Sequence, residues 1–424
     1  MRNTNAGVQR NSIQPDDIKI GAELEFSCCV HKIKKRSGFT FVTLRTGRYI
    51  FKSVHNPKYC EKPLKGVFEG VYLNVKCFVR EELRGENGME ITITDYEIIS
   101  KPAEKYSIPV SDRIVDLSPE ELAENRCLSF RNPMERIPAR ILGAVIEGFC
   151  DFMKENQFMR VRTPIISGIT FEEEKDSFSF DYFGNKAYIS GEGSIYCQEC
   201  VAFYDRVYDV CKSVFAKKRN SPRLMSEYTS LHFEAAFISS ASEIMEIETA
   251  LIKFITEYVK KQCQHELNIW GVNVPEITSI PELSFDEAMD ILKKTEIQYD
   301  LDPTDEKRIC AWAKEKCGSD FVFVSGMPCE KRPVYDESGQ SFVLLFKGIE
   351  IAGGGKRIHD YNALVEKLKV SGKDYKSFTD FHKYGMPTHG GAGLGAERYV
   401  MQLLGLNNIR QVSCFPRDIH QFNP

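Results

Sequence analysis

The run His389-Gly-Gly-Ala-Gly-Leu-Gly-Ala-Glu397-Arg398 carries the strongest local chemical signal in this 424-residue sequence. Its glycines permit close backbone approach to a ligand, and Arg398, at the start of an apolar helical stretch, offers a planar, permanently charged fork suited to phosphate. The run is read as a glycine-rich loop between Pro387 and that helix, although tight packing also selects glycine. It lacks the Gly-Lys-Ser/Thr of a P-loop and the spacing of a dinucleotide fingerprint. One pair has metal-like spacing, Cys197-Gln-Glu-Cys200, but a closed zinc site needs four ligands and no second pair lies nearby. Ordinary packing is expected for it.

These residues must be positioned by a chain long enough for two cores, with 42% hydrophobic and 27% charged side chains. Its 14 cysteines are scattered through apolar surroundings, as reduced thiols are. No apolar run of about 18 residues exists and the N-terminus is polar, so a soluble cytoplasmic protein is expected, with no membrane partner. Met1–Lys101 holds 17 Lys and Arg against 12 Asp and Glu, while the remainder has a net charge of −9. That asymmetry points the first part toward a polyanion.

The periodicity predicts strands over Glu23–Val30, Phe39–Leu44, Tyr49–Val54, Gly70–Val79 and Met89–Ile99, with turn residues between them. Five strands without a helix predict a small closed barrel of the oligonucleotide-binding (OB) type over residues 1–103. A proline-bearing linker with one short helix after Ser118 follows over 104–132. From 133 to 424 the pattern is α+β. A helix carrying Ile141, Val145, Phe149 and Met153 comes first. Strands over Lys186–Ser190, His232–Phe237, Val343–Ile351 and Val412–Phe415 then alternate with helices over Ser242–Gln264, Phe285–Lys294, Glu306–Lys316 and Gly395–Leu404.

Gly393-Leu-Gly-Ala-Glu-Arg398, followed by Asn408-Ile-Arg-Gln-Val-Ser-Cys-Phe-Pro-Arg-Asp418, resembles the third motif and ending of the class II aminoacyl-tRNA synthetases, aspartyl/asparaginyl subgroup. Arg162-Thr-Pro164 resembles the first motif, which in the family forms a homodimer interface. The resemblance implies an OB-fold anticodon-binding barrel joined to a catalytic antiparallel sheet flanked by helices. It implies ATP and Mg²⁺ as cofactors, tRNA and aspartate or asparagine as partners, and aminoacyl-adenylate formation followed by transfer to tRNA. By resemblance Arg398 holds the ATP tail, with Gly393, Gly395, Glu227 and Tyr228 also at ATP. Arg223 and Glu350 join Arg398 as catalytic residues, and Glu350 binds the metal. Glu172, Ser194 and Arg357 are assigned to the amino acid, Arg357 facing a substrate carboxylate. Mg²⁺ in ATP sites does use one or two carboxylates plus phosphate oxygens, yet Glu350 alone would read as a surface strand residue. In the barrel, Phe41 and Glu90, with Lys34 and Arg36, are assigned to nucleic acid; Phe41 as a core residue is the alternative.

The chain departs from the family at its substrate contacts. The second motif's Phe-Arg-x-Glu is replaced by Val214-Phe-Ala-Lys-Lys-Arg219, with Phe215 and Lys217 where the arginine and glutamate are expected. Lys217, Lys218 and Arg219 are candidates for the lost charge. Glu192-Gly-Ser194 stands for Ser-x-Gln, Gly326-Met-Pro328 for Asp-Tyr-Pro, Gly353 for a serine that assists Mg²⁺, and Phe51 for a base-reading glutamine. Two alternatives therefore stand beside tRNA aminoacylation: an adenylate-forming amide ligase that does not use tRNA, and a catalytically silent RNA-binding paralogue.

Overall fold

A computed structural model describes residues 13–171, 173–189, 191, 193–369 and 375–423. The chain divides into two units. One holds the residues up to Leu117 with Asn125–Arg136, and the other holds Ser118–Glu124 with the residues from Ile137 onward.

In the first unit β1 (Glu23–Arg36), β2 (Phe39–Thr46), β3 (Tyr49–His55), β4 (Tyr72–Glu86) and β5 (Met89–Ser100) close into a barrel ordered β1-β2-β3-β5-β4. Only β3 and β5 pair in parallel. Strand periodicity explains the core: Leu73, Val75, Cys77 and Val79 alternate inward along β4 and are buried. The strands run longer than the sequence predicts: β1 continues past the core through the exposed Lys34, Lys35 and Arg36, and β4 runs on to Glu86.

The segment after the barrel folds as α1 (Pro119–Glu124), α2 (Arg126–Ser129) and α3 (Pro133–Glu155). Ser118 caps α1 reciprocally: Glu121 N donates to Ser118 Oγ at 3.2 Å, and Ser118 N donates to Glu121 Oε2 at 2.8 Å. The second short helix was not expected. On α3, Ile141, Val145, Phe149 and Met153 are all buried, as their spacing predicts.

The second unit continues with β6 (Met159–Arg160), β7 (Ile166–Ser167), β8 (Phe178–Tyr182), β9 (Asn185–Ile189) and α4 (Gly193–Tyr204). A long hairpin, β10 (Arg206–Val214) and β11 (Glu227–Ala236), leads to α5 (Ala241–Gln262) and α6 (Gln264–Trp270). Next come β12 (Glu282–Ser284), α7 (Phe285–Leu292), α8 (Pro303–Cys317) and β13 (Phe321–Ser325). The chain then forms β14 (Asp336–Phe346), β15 (Ile349–Arg357), α9 (Tyr361–Lys369), α10 (Lys376–Lys383), β16 (His389–Gly395) and α11 (Ala396–Leu404). Eight strands make one sheet, ordered β12-β13-β14-β15-β16-β11-β10-β6 and mostly antiparallel; β7, β9 and β8 make a smaller one. Among the described residues no helix is long and apolar enough to cross a membrane.

Three expectations are corrected. Val343–Ile351 is not one strand but the facing ends of β14 and β15, which turn at Lys347 (φ 45°) and Gly348 (φ 89°). Both halves are buried, so hydrophobicity runs through the turn unbroken and only Lys-Gly marks it. Val412–Phe415 is not a strand: a 3₁₀ turn at Ile409–Gln411 leads into irregular chain, with Val412 buried but Phe415 exposed. The glycine-rich run is a central strand, β16, rather than a loop. A Cβ at Gly391 would sit 2.0 Å from Phe233 O, and one at Gly393 would sit 2.5 Å from the His232 ring, so close strand packing demands glycine there.

Candidate active site

A cavity of about 500 Å³ is lined by residues of α4, β10, β11, β14, β15, β16 and α11 and by the β10–β11 loop. Its floor follows from strand register. Ser230 pairs with Gly395, His232 with Gly393 and Glu234 with Gly391, while Gly353 faces Gly393 from the other side. Period two puts Tyr228, Ser230, His232 and Glu234 on one face of β11, and Leu231, Phe233 and Ala235 in the core behind it. Sequence reasoning missed His232 and Glu234. The available signal was this polar stripe alternating with apolar residues.

At one end of the cavity Arg398, on the first turn of α11, donates from Nη1 to Glu350 O at 2.8 Å. Its helix is tied to β11 through the neighbouring Glu397, whose buried carboxylate oxygens accept Thr229 N at 3.0 and 2.9 Å. Burial raises the pKa of Glu397 against the pull of that N–H. Arg223 lines the cavity and pairs with Glu306 of α8, whose pKa is raised by burial despite the guanidinium. Glu350 also lines the cavity, and a Cβ built at Gly353 would lie 3.7 Å from its Oε1. Tyr228 and Phe215 stack with ring centroids 5.8 Å apart and planes 18° from parallel, and Lys217 Nζ sits 5.1 Å from the Phe215 centroid. Lys217 and Arg219 line the cavity, whereas Lys218 is not among its lining residues. Glu227 is not among them either; its carboxylate pairs with Lys212 at 3.3 Å.

The β10–β11 loop is held from the C-terminal segment. Arg410, fully buried, donates from Nη1 to Ser221 O at 3.2 Å and from Nη2 to Asn220 Oδ1 at 2.9 Å, and its Nε pairs with Asp418. Ile409 N donates to Pro222 O at 2.8 Å, and Ser226 N to Arg417 O at 2.7 Å. Asn220, Ser221, Pro222 and Ser226 of the loop are thus positioned by Ile409, Arg410 and Arg417.

The other end is built around Arg357, seven residues along β15 from Glu350, or roughly 23 Å at about 3.3 Å per residue. Its guanidinium is buried. Nε and Nη2 donate to Glu234 Oε1 at 3.1 and 2.7 Å, Nη2 also donates to Gly391 O at 3.0 Å, and Nη1 donates to Asp336. Burial opposes the charge on Arg357, but Glu234 and Asp336 outweigh it and hold the pKa above its ordinary value. Burial pushes Glu234 up to about 7 and raises Asp336, both against the pull of Arg357. His232, hydrogen-bonded to Ser230 Oγ at 2.8 Å, is lowered to about 4, first by burial and then by Arg357, and is neutral at pH 7. Ser194 Oγ lies 3.2 Å from the Tyr335 hydroxyl. Of the residues assigned to the amino acid, Ser194 and Arg357 line this cavity, and Glu172 lies outside the described residues. Cys197 is wholly buried on α4, and burial holds its thiol well above the ordinary range.

In the barrel unit Phe41 is 40% exposed, packs edge-on against Phe39, and sits opposite Lys34 in the β1–β2 register. Lys34 and Arg36 are exposed. Glu90 accepts from Arg80 Nη2 at 2.8 Å and from Thr92 Oγ1 at 3.0 Å. Phe51, by contrast, is a core residue of the barrel.

The sequence profile of the tRNA synthetases class II (D, K and N) matches residues 118–419. The chain is 34% identical over 365 residues to an aspartate–tRNA(Asp/Asn) ligase of Thermus thermophilus, covering 83% of this chain and 86% of the relative. It is 31% identical over 427 residues to the same kind of ligase from Aeropyrum pernix, covering 96% of each. Among solved structures, asparaginyl-tRNA synthetase of Pyrococcus horikoshii with asparaginyl-adenylate superposes with a TM-score of 0.88 at 23% identity, covering 97% of this chain and 99% of that one. The aspartyl-tRNA synthetase of Entamoeba histolytica does so with a TM-score of 0.85 at 20% identity, covering 100% and 95%.

Proposed function

Because this chain belongs to the class II tRNA synthetases (D, K and N), we propose that its cavity activates an amino acid with ATP, through the residues assigned below. The chain is a ligase of the aspartyl/asparaginyl-tRNA synthetase type, which forms an aminoacyl-adenylate and charges tRNA. In the first step an α-carboxylate oxygen bonds to the α-phosphorus of ATP as the bond to pyrophosphate breaks. A ribose hydroxyl of tRNA then displaces AMP. Positioning and charge neutralisation suffice for both steps, and no side-chain nucleophile is needed.

The observation that carries the reading is the convergence of Arg398, Arg223 and Glu350 on the stacked Tyr228–Phe215 platform in one cavity. Adenine stacks on Tyr228, Arg398 takes the phosphate tail, and Glu306 fixes the fork of Arg223. Lys217 and Arg219 take the phosphate contact that relatives give to the arginine replaced by Phe215. Mg²⁺, when bound with ATP, supplies charge neutralisation at the phosphates. Glu350 would hold it: a carboxylate at the cavity wall is the hard oxygen donor this ion prefers, and the side of Glu350 next to Gly353 is open. Ser194 and Arg357 receive the amino acid, which is of the aspartate or asparagine kind.

The exposed Phe41 opposite Lys34 supports tRNA as acceptor, by stacking and phosphate attraction on the barrel. Homodimer formation around Pro164 is supported by exposed apolar side chains beside it, Met159, Ile165 and Ile166. The test is pyrophosphate exchange into ATP with each of the twenty amino acids, with and without bulk tRNA, beside Arg398→Ala. Exchange with one amino acid that vanishes in the variant is expected. Silence with all twenty while tRNA still binds would replace this reading by a non-catalytic RNA-binding one.

A further inference from the structure

The far end of the cavity already contains the carboxylate that an aspartate would bring. Asp336 opens β14 directly opposite Arg357 on β15, and the strand bulges immediately after it, between Asp336 and Ser341. Asp336 N donates to Pro333 O at 3.0 Å, and Lys367 Nζ donates to Asp336 O, so its backbone is pinned on two sides. The Asp336 side chain lines the cavity and accepts from Arg357 Nη1.

We infer that Asp336 is a specificity-determining residue, which occupies Arg357 and restricts the substrate to an amino acid whose side chain is uncharged and hydrogen-bonding, such as a carboxamide. The inference rests on the adenylate-forming reading of this cavity. The reacting α-carboxylate must reach the phosphates at the Arg398 end, so the group arriving at Arg357 is the substrate's side chain.

A guanidinium has five N–H groups. Four of those on Arg357 are used, by Glu234 twice, Gly391 O and Asp336. A bidentate grip on an incoming carboxylate needs two, and one remains. Charge points the same way. At this end the cavity is lined by two cationic side chains, Arg357 and Arg332, and the latter is paired with Asp300 at 2.7 Å. The imidazole of His232 lines the same end and is uncharged at neutral pH. A side-chain carboxylate would therefore become a third anion around one buried guanidinium, and the other cation lining this end, Arg332, is already paired with Asp300. A carboxamide meets what is left over. Its carbonyl accepts the remaining Arg357 N–H, and its NH₂ supplies donors to a region where Glu234 Oε2 is buried without a hydrogen-bond partner. Sites built this way discriminate strongly, because the wrong group leaves buried polar atoms unpaired.

The test is calorimetric binding of two non-reactive adenylate mimics, asparaginyl- and aspartyl-sulfamoyl adenosine, to the full chain and to Asp336→Asn. The mimics differ only in amide against carboxylate and need no turnover. The expected result is a preference of at least about tenfold for the asparaginyl mimic, narrowed several-fold by Asp336→Asn through better binding of the aspartyl one. Retained binding of the asparaginyl mimic shows that the variant is folded. Tighter binding of the aspartyl mimic to the unaltered protein overturns this inference and leaves the adenylate reading standing. An asparaginyl preference that Asp336→Asn does not change removes Asp336 as its cause. Binding of neither mimic overturns the adenylate reading and this inference with it.

Discussion

Replacing Arg410 tests whether the C-terminal segment holds in place the β10–β11 loop, to which ATP binding is assigned in the proposed function. The side chain is fully buried and reaches Asp418, Asn220 Oδ1, Ser221 O and Asn408 Oδ1. Removing one member of a buried ion pair costs about 3–5 kcal/mol when the other is left alone. Asp418 is not left alone, since its Oδ1 still accepts His420 N at 2.7 Å and Gln421 N at 2.8 Å. Arg410→Ala should therefore destabilise the fold by about 3 kcal/mol, the low end of that range. The two contacts to Asn220 and Ser221 carry the functional share. Hydrogen bonds to a charged group are worth about 1.5–3 kcal/mol each, and losing both while other loop contacts persist should weaken ATP binding by about 2 kcal/mol, or roughly thirtyfold in KM. Arg410→Lys is the discriminating variant. A lysine reaches Asp418 but has no fork for the loop, so most stability should return while the ATP defect remains. Chemical denaturation gives the first quantity, and pyrophosphate exchange against ATP concentration gives the second. An Arg410→Ala protein that is less stable yet binds ATP with unchanged KM would refute the clamp, and so would a lysine variant in which both properties recover together.

Two further outcomes follow from single positions. Gly353→Ser has room, since its Cβ would meet Phe342 O at 3.6 Å and Glu350 Oε1 at 3.7 Å, both ordinary contacts. The added hydroxyl beside Glu350 should lower the Mg²⁺ concentration for half-maximal exchange by about fivefold, the value of one hydrogen bond, and an unchanged Mg²⁺ requirement would argue against Glu350 as the metal carboxylate. Glu248, on α5, is fully buried with neither carboxylate oxygen hydrogen-bonded, and burial pushes its pKa up to about 8. A carboxyl raised in the folded state keeps its proton while the unfolded chain loses it, so stability falls as pH rises from the unfolded value toward 8. Glu248→Met should accordingly raise Tm more at pH 8.5 than at pH 5.5; an equal gain at both values would show that ionisation is not the cost.

The sequence made the barrel legible because its strands alternate cleanly and its turns carry glycine. It made α3, α5, α8 and α11 legible because their apolar residues recur at helical spacing. It failed where hydrophobic runs cross a turn, as at Lys347-Gly348, and where glycine serves packing between strands, as at Gly391 and Gly393. Arg398, Arg223, Glu350, Tyr228, Ser194 and Arg357, far apart in the sequence, line one cavity, and motif resemblance was what singled them out. Glu227 is not among those residues and pairs with the exposed Lys212 across the hairpin, a partner that no motif records. Partners of the site residues were harder to foresee. Glu306, Glu234 and Asp336 reach their arginines across 83, 123 and 21 residues, distances over which a linear pattern contains no information about pairing.

The same long reach constrains when the site can exist during synthesis. Asn220 and Ser221 emerge from a ribosome about 190 residues before Arg410, which holds them. The barrel, whose strands lie within the first hundred residues, has all its partners early and can fold while the rest is being made. The β10–β11 loop must wait, because closing so large a loop yields nothing until its final contact is translated. A nascent chain stalled before residue 410 would thus carry a finished nucleic-acid-type barrel beside an unassembled nucleotide site, and it would acquire affinity for a polyanion well before it acquired affinity for ATP.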